Sequence, residues 1–272
     1  MLLTRLGWFK KARAQFKRRD VVKPRSLPTI DARYWTAILA ASMCGANTGD
    51  FVSRILGLGH TRGLLPLGLI FLAIVWAEAR SKLPTEAYYW LAIIVLRTGA
   101  TNLADLGTHD LKLGYFLFMG MLTALMVAML LLDRVRGVQP IGVAGPDGRW
   151  HTLPATDASY WITMLAAGTL GTAAGDWVAE ETPLGLAYGS ALLVAALFCI
   201  WFISDQYGKM TKPWYWLTIV AARTAGTTLG DLLASRRGLG LGLWVSTICT
   251  SLLLAGIVIL FRHGRAERLR EV

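Results

Sequence analysis

The chain has 272 residues, a net charge of +11 and a mean hydropathy of +0.48, with 54% hydrophobic and 17% charged side chains. A soluble domain of this length carries about 25% charged residues. Here the charges collect outside apolar runs of roughly 18–22 residues, the length that crosses a bilayer, which excludes a sizeable water-soluble domain. The basic excess flanks those runs and accompanies no nucleic-acid motif, so a nucleic-acid partner is excluded as well.

Residues 1–33 form a basic N-terminal segment, with Lys10, Lys11, Arg13, Lys17, Arg18, Arg19, Lys23, Arg25 and Arg33. It lacks the apolar core and small-residue cleavage site of a signal peptide. Leu2, Leu6, Phe9 and Phe16 fall near one helical face, which suits an interfacial helix on anionic lipid headgroups; a disordered basic tail would obey the same charge rule. Eight spans follow, at 34–56, 63–80, 88–107, 113–133, 159–179, 184–204, 214–233 and 239–262. They divide into a first four-helix half (34–137), a linker (138–158) rich in Pro and Gly, and a second half (159–262), before a basic tail (263–272). The expected fold is an all-α integral membrane protein of eight transmembrane helices. The Lys and Arg bias places both termini in the cytoplasm of a bacterial inner (cytoplasmic) membrane. Cys44, Cys199 and Cys249 all lie in apolar runs without Cys-x-x-Cys spacing and read as buried packing residues.

Odd-numbered spans share one pattern: Tyr-Trp, then an Asp fifteen residues after the Trp. It occurs at Tyr34-Trp35/Asp50, Tyr89-Trp90/Asp105, Tyr160-Trp161/Asp176 and Tyr215-Trp216/Asp231. Small residues four apart precede each acid, as Gly45/Gly49, Ala100/Ala104, Gly171/Gly175 and Gly226/Gly230. The Trp spacing is 55 residues within each half and 126 between halves, so a two-span unit occurs four times in tandem. Units with an even number of spans keep one orientation, which makes the two pseudo-symmetric halves parallel. On these residues the chain resembles the uncharacterised bacterial inner-membrane proteins built from four tandem two-helix repeats, each with a characteristic Trp. The resemblance covers residues 34–262 and implies architecture; it carries no activity.

The Tyr-Trp pairs at span starts are expected to anchor at the headgroup boundary. At about 1.5 Å per residue, each Asp lies about 22 Å further along, in the outer half of the membrane, where a carboxylate is costly. If the odd spans line a common axis, Asp50, Asp105, Asp176 and Asp231 meet in one outer vestibule and offer a cation, proton or metal site. A solvated helix end would look similar, and Asp50 has an i+4 partner in Arg54. Asn47, Thr101, Asn102, Thr172, Thr227 and Thr228 are supporting polar groups for an oxygen-rich ion site, or for helix–helix hydrogen bonds. Arg97 and Arg223, seven residues after their Trp, are expected inside the membrane, paired with acidic or carbonyl groups and tuning the charge of the acids. Glu78, Asp133 and Asp205 at the other span ends read as caps or partners of Arg80 and Arg134. His109 and Asp110 stand close to Asp105 as a weaker metal-ligating group.

The sequence contains no nucleophile elbow, phosphate loop or zinc motif, and an enzyme is not expected. No organic cofactor is implied; a bound metal cation is the possible exception. These residues predict a membrane transport protein for a small cation, a divalent metal or a proton-coupled substrate. A passive cation channel and a non-transporting scaffold or regulator stand as alternatives.

Overall fold

The computed structural model describes residues 28, 30–81, 86–137, 141–144, 150–153, 156–206 and 211–268. The interfacial-helix and headgroup-contact readings for the N-terminal segment lie outside these residues, as do most of the linker and the end of the basic tail. The side chains of Asp205 and of residues 261–268 are likewise not described.

Among the described residues there are eight long α-helices: α1 (Ala32–Asp50), α2 (Gly59–Arg80), α3 (Glu86–Asp105), α4 (Tyr115–Val135), α5 (Ala158–Glu181), α6 (Gly185–Gln206), α7 (Lys212–Ala234) and α8 (Gly242–Arg268). A short antiparallel hairpin, β1 (Ile141–Ala144) and β2 (Trp150–Leu153), pairs Ile141 with Leu153 and Ala144 with Trp150 between the halves. Local chemistry sets the helix starts. Asp31 accepts hydrogen bonds from the Arg33 and Tyr34 amides, and Asp157 from the Tyr160 amide, satisfying donors that a first turn otherwise leaves free. In α7, Pro213 stands in the first turn, where its missing N–H costs nothing. One π-helical turn follows Asp50 (Phe51–Ile55) and another follows Asp105 (Leu106–Asp110).

The odd helices form an inner ring in the order α1–α3–α5–α7, closing back on α1. The even helices form an outer layer. Each covers the inner helix of the next repeat: α2 lies on α3, α4 on α5, α6 on α7, and α8 returns to α1. The two sequence halves therefore interlock into one closed eight-helix body.

The layers have opposite surfaces. The outer segments Gly59–Arg80, Tyr115–Val135, Gly185–Ile203 and Gly242–Leu260 have the length and apolarity to cross a membrane, and at most 17% of their residues are buried. Leu65, Leu69, Phe116, Leu131, Phe202 and Leu252 stand exposed on them, a band of apolar surface too large for a water-facing monomer. This is a helical membrane protein with internal repeats. Four helices, rather than the eight expected, are apolar enough on their own. The inner four carry Ser, Thr, Asn, Arg and Asp on the faces they turn to one another, which lowers their hydropathy while the outer helices shield them. Of the three free cysteines only Cys44 is buried; Cys199 and Cys249 are exposed on the outer layer, so the expected burial holds for one of three.

Candidate functional site

Stepping back four residues at a time from each Asp gives five layers along the inner bundle: Asp; Ala46, Thr101, Thr172 and Thr227; Ser42, Arg97, Gly168 and Arg223; Ile38, Ile93, Met164 and Ile219; and Tyr34, Tyr89, Tyr160 and Tyr215. Sixteen residues of helix separate the outermost layers by about 24 Å.

The tyrosine layer is a closed ring. Its hydroxyls lie 2.7 Å (Tyr34–Tyr89), 2.9 Å (Tyr89–Tyr160), 2.8 Å (Tyr160–Tyr215) and 2.8 Å (Tyr215–Tyr34) apart. A hydroxyl donates once and accepts readily, so four can satisfy one another in a cycle. Each Trp packs edge-on to its own Tyr and lies against the Tyr of the preceding repeat, as Trp90 does with Tyr34 at 6.0 Å and Trp35 with Tyr215 at 5.8 Å. This corrects the expectation of headgroup anchors. All four Tyr are at most 2% exposed, and Trp35, Trp90 and Trp216 are buried too, because the polar tip of each Tyr finds its partner on the axis. The residues above this ring, Ile38, Ile93, Met164 and Ile219, are completely buried and apolar.

Arg97 and Arg223 come next, both fully buried. Arg223 spends its donors well: Nε on Thr172 Oγ1 (3.0 Å), Nη1 on the Ser42 carbonyl (2.6 Å), and Nη2 on the Arg97 carbonyl (3.1 Å) and Thr101 Oγ1. Arg97 has only the Met164 sulfur at 3.9 Å, and its Nε and Nη1 have no hydrogen-bond partner among the described residues. The expected pairing with carbonyl groups is met at Arg223 and not at Arg97. Among the described residues neither arginine forms a salt bridge, since a layer of threonines separates them from the acids. The small residues explain how two guanidiniums fit. A Cβ on Gly45 would overlap the Arg97 Cβ, one on Gly171 would reach the Arg223 Cβ at 2.7 Å, and one on Gly226 would overlap the Ser42 Cβ.

Above the threonines the bundle opens into a cavity of about 730 Å³. Asp50, Asp105, Asp176 and Asp231, one from each repeat, all line it, with Ala46, Thr101, Thr172 and Thr227 on its deeper wall. Arg54, His60, His109, Glu180, Ser235 and Arg237 surround its mouth. Asp50 meets Arg54 at 3.4 Å, and His60 bridges Asp105 (3.5 Å) and Asp110 (2.9 Å). Two buried polar atoms of the wall, Asp105 Oδ2 and Thr227 Oγ1, lack a hydrogen-bond partner among the described residues.

Three of the supporting residues lie elsewhere. Asn47, Asn102 and Thr228 stand three residues before their Asp, not four, which turns them about 100° off the axial stripe and into helix–helix seams. Asn102 faces Gly63 of α2, Asn47 faces Gly230 of α7, and Thr228 Oγ1 bonds its own helix at the Ala225 carbonyl (3.1 Å). The four acids share the cavity, but among the described residues no group of three or more His, Cys, Asp or Glu could hold a metal ion. His60, from the first turn of α2, is a cavity residue that sequence reasoning missed; no repeat pattern marks it. At the other end of the bundle, Asp133 accepts a hydrogen bond from the Ser159 hydroxyl, and Arg80 lies over the Trp76 ring at 4.3 Å.

Comparison with known families gives three matches along the chain to the Repeat of Unknown Function DUF347, at residues 33–83, 159–207 and 214–265. The chain belongs to this family. The three matched stretches are the first, third and fourth repeats. The second, α3 with α4, supplies its own Tyr, Arg, Thr and Asp to the same layers, so the two-helix unit occurs four times in the fold. No curated protein and no solved structure matches the chain.

Proposed function

We propose that this DUF347 protein is a transporter of the bacterial inner membrane, in which all eight helices span the bilayer with both termini cytoplasmic and the cavity is the outward-facing site for a small cationic or proton-coupled solute. The observation that carries this reading is the convergence of four carboxylates, one per repeat, on a single cavity whose inner end is sealed. Intramembrane carboxylates facing a water-accessible cavity mark ion and proton paths more often than scaffolds. Parallel repeats around a central site are a common transporter plan. The proton-coupled form is favoured over a bare divalent metal, because among the described residues no group of three or more His, Cys, Asp or Glu could hold a metal ion.

A carrier is favoured over a channel for a related reason. Below the acids, an ion would meet two buried guanidiniums, then an apolar layer, then a closed hydroxyl ring whose O–H donors are all spent on one another. A continuous cation path does not pass through that sequence of layers, and alternating access does not need one. The test is reconstitution in liposomes with a panel of cations and a pH-sensitive dye. Saturable uptake lost in Asp176→Asn and Asp231→Asn is the expected result. Linear flux would select the channel, and flux indifferent to all four Asp→Asn changes would remove the acids from the function.

A further inference from the structure

One turn beyond the acid ring the repeats stop resembling one another. The four equivalent positions are Arg54, His109, Glu180 and Ser235, and all four line the cavity. In the inner ring α1 stands opposite α5, so Arg54, which also meets Asp50 at 3.4 Å, and Glu180 lie on opposite sides of the mouth. Each has company of its own sign or purpose. Arg237, at the end of α7 beside α1, adds a second guanidinium to that lip, and it makes no ion pair among the described residues. Glu180 is held in place by the Tyr115 hydroxyl, which donates to it at 2.8 Å, and by His109 at 3.8 Å. The mouth is therefore a dipole: basic over α1 and α7, acidic over α3 and α5.

We propose that the solute is a small organic zwitterion, with an ammonium group seated among the aspartates and a carboxylate held by Arg54 and Arg237. This rests on the transport reading and names the substrate class for the same cavity. A simple inorganic cation would use only the acid half of the mouth and leave two arginines as an obstacle at its entrance. A simple anion would have to sit above four carboxylates. A molecule carrying both charges uses both lips. The volume agrees: about 730 Å³ falls within the roughly 300–1,000 Å³ range of small-molecule sites and far exceeds the need of a single ion. The wall is also incomplete without a ligand. Thr227 is 2% exposed, yet presents to this cavity a hydroxyl oxygen with no hydrogen-bond partner among the described residues, and the 7% exposed Asp105 has only the His60 ring, at 3.5 Å, beside its Oδ2. An ammonium group carries donors for Asp105 Oδ2 at closer range than the His60 ring, and the Thr227 hydroxyl can accept from the same group or donate to a carboxylate.

The experiment is calorimetric binding to the full-length protein in lipid nanodiscs. The probes are alanine and 4-aminobutyrate, each against the amine that lacks the carboxylate (ethylamine, propylamine) and the acid that lacks the ammonium (propionate, butyrate). At least one zwitterion is expected to bind tenfold or more tightly than both of its half-molecules. In the Arg54→Gln/Arg237→Gln double variant, whose changes lie at the exposed rim, that preference over the amine is expected to fall to about twofold or less. A parent protein that binds the amine as tightly as the zwitterion overturns the proposal, as does a double variant that keeps the tenfold preference or a parent that binds none of the probes. The two readings fail separately. Amine binding that disappears in Asp231→Asn without any zwitterion preference leaves the transport reading standing and removes the substrate class. Liposome flux unaffected by the aspartates removes the transport reading itself.

Discussion

At one end of the inner bundle Tyr34, Tyr89, Tyr160 and Tyr215 close on one another through four hydrogen bonds; at the other, Asp50, Asp105, Asp176 and Asp231 surround an open cavity. Both sets are fourfold copies of one side chain, carried by the same four helices. The difference lies in what each group can do with its own kind. A hydroxyl is donor and acceptor together, so four complete a cycle and shut the bundle. An ionised carboxylate only accepts, and its copies repel, so four of them keep the bundle open and wait for something else. Repetition builds a seal from one residue and a binding site from the other.

The largest effect is expected where the helices that carry both ends come closest. Gly226 and Gly45 have no room for a methyl group against the Ser42 and Arg97 Cβ atoms. Gly226→Ala should cost about 1–3 kcal/mol, and Gly45→Ala/Gly226→Ala more, by forcing the inner helices apart. Gly256→Ala on the outer face of α8, where nothing lies within 4 Å, should be neutral or gain up to about 1 kcal/mol through helix propensity. Unfolding in detergent measures all three. Equal responses at inner and outer glycines would contradict the packing.

The tyrosine ring is next. One Tyr160→Phe change removes both of that residue's ring bonds and leaves a buried neighbour unsatisfied, at a cost of about 1–3 kcal/mol. Changing all four Tyr to Phe removes every polar group at once, so the quadruple variant should lose less than the sum of the four single ones. Additive losses would mean that the hydroxyls are not a ring.

The arginines between the two ends sharpen the contrast, because they differ although they are 126 residues apart and equivalent by repeat. Arg97→Met deletes a buried cation with two unpartnered nitrogens, and should stabilise the protein by about 1–3 kcal/mol. Arg223→Met breaks bonds to Ser42, Thr172, Thr101 and the Arg97 carbonyl, and should not stabilise it. The same unfolding measurement decides. An equal shift in both variants would mean that the guanidiniums share one environment.

Much of this was legible in the sequence, and the misses have a common cause. Helix positions and the fourfold repeat could be read because apolar runs and a recurring Trp are one-dimensional signals. The meeting of the acids followed from parallel repeats and a shared depth. The tyrosines were misjudged because an aromatic beside a Trp at a span start has the same local sequence whether it faces headgroups or the axis. The missing step was to count from the Asp: Tyr lies sixteen residues before it, a multiple of four, with Ile or Met, Ser, Arg or Gly, and Ala or Thr at the intervening steps. The same count separates Thr101, Thr172 and Thr227, which reach the cavity, from Asn47, Asn102 and Thr228, which do not. His60 carried no repeat signal, since only folding brings α2 to the rim of the cavity made by α3.

The smallest expected change is at the acid end, and it has the opposite sign to the change at the tyrosine end. Asp176→Asn keeps the size of the side chain and removes one of four acids that share the cavity, so it should raise stability by less than about 1 kcal/mol while weakening binding of a cationic group. A structural cap or solvated helix end would behave otherwise: Asn serves as well as Asp there, leaving both stability and binding unmoved. Unfolding and ligand binding measured on the same preparation separate the two cases. A gain in stability with a loss of binding is the signature of a carboxylate kept for use, and its absence would reduce the fourfold Asp to a surface feature of helix ends.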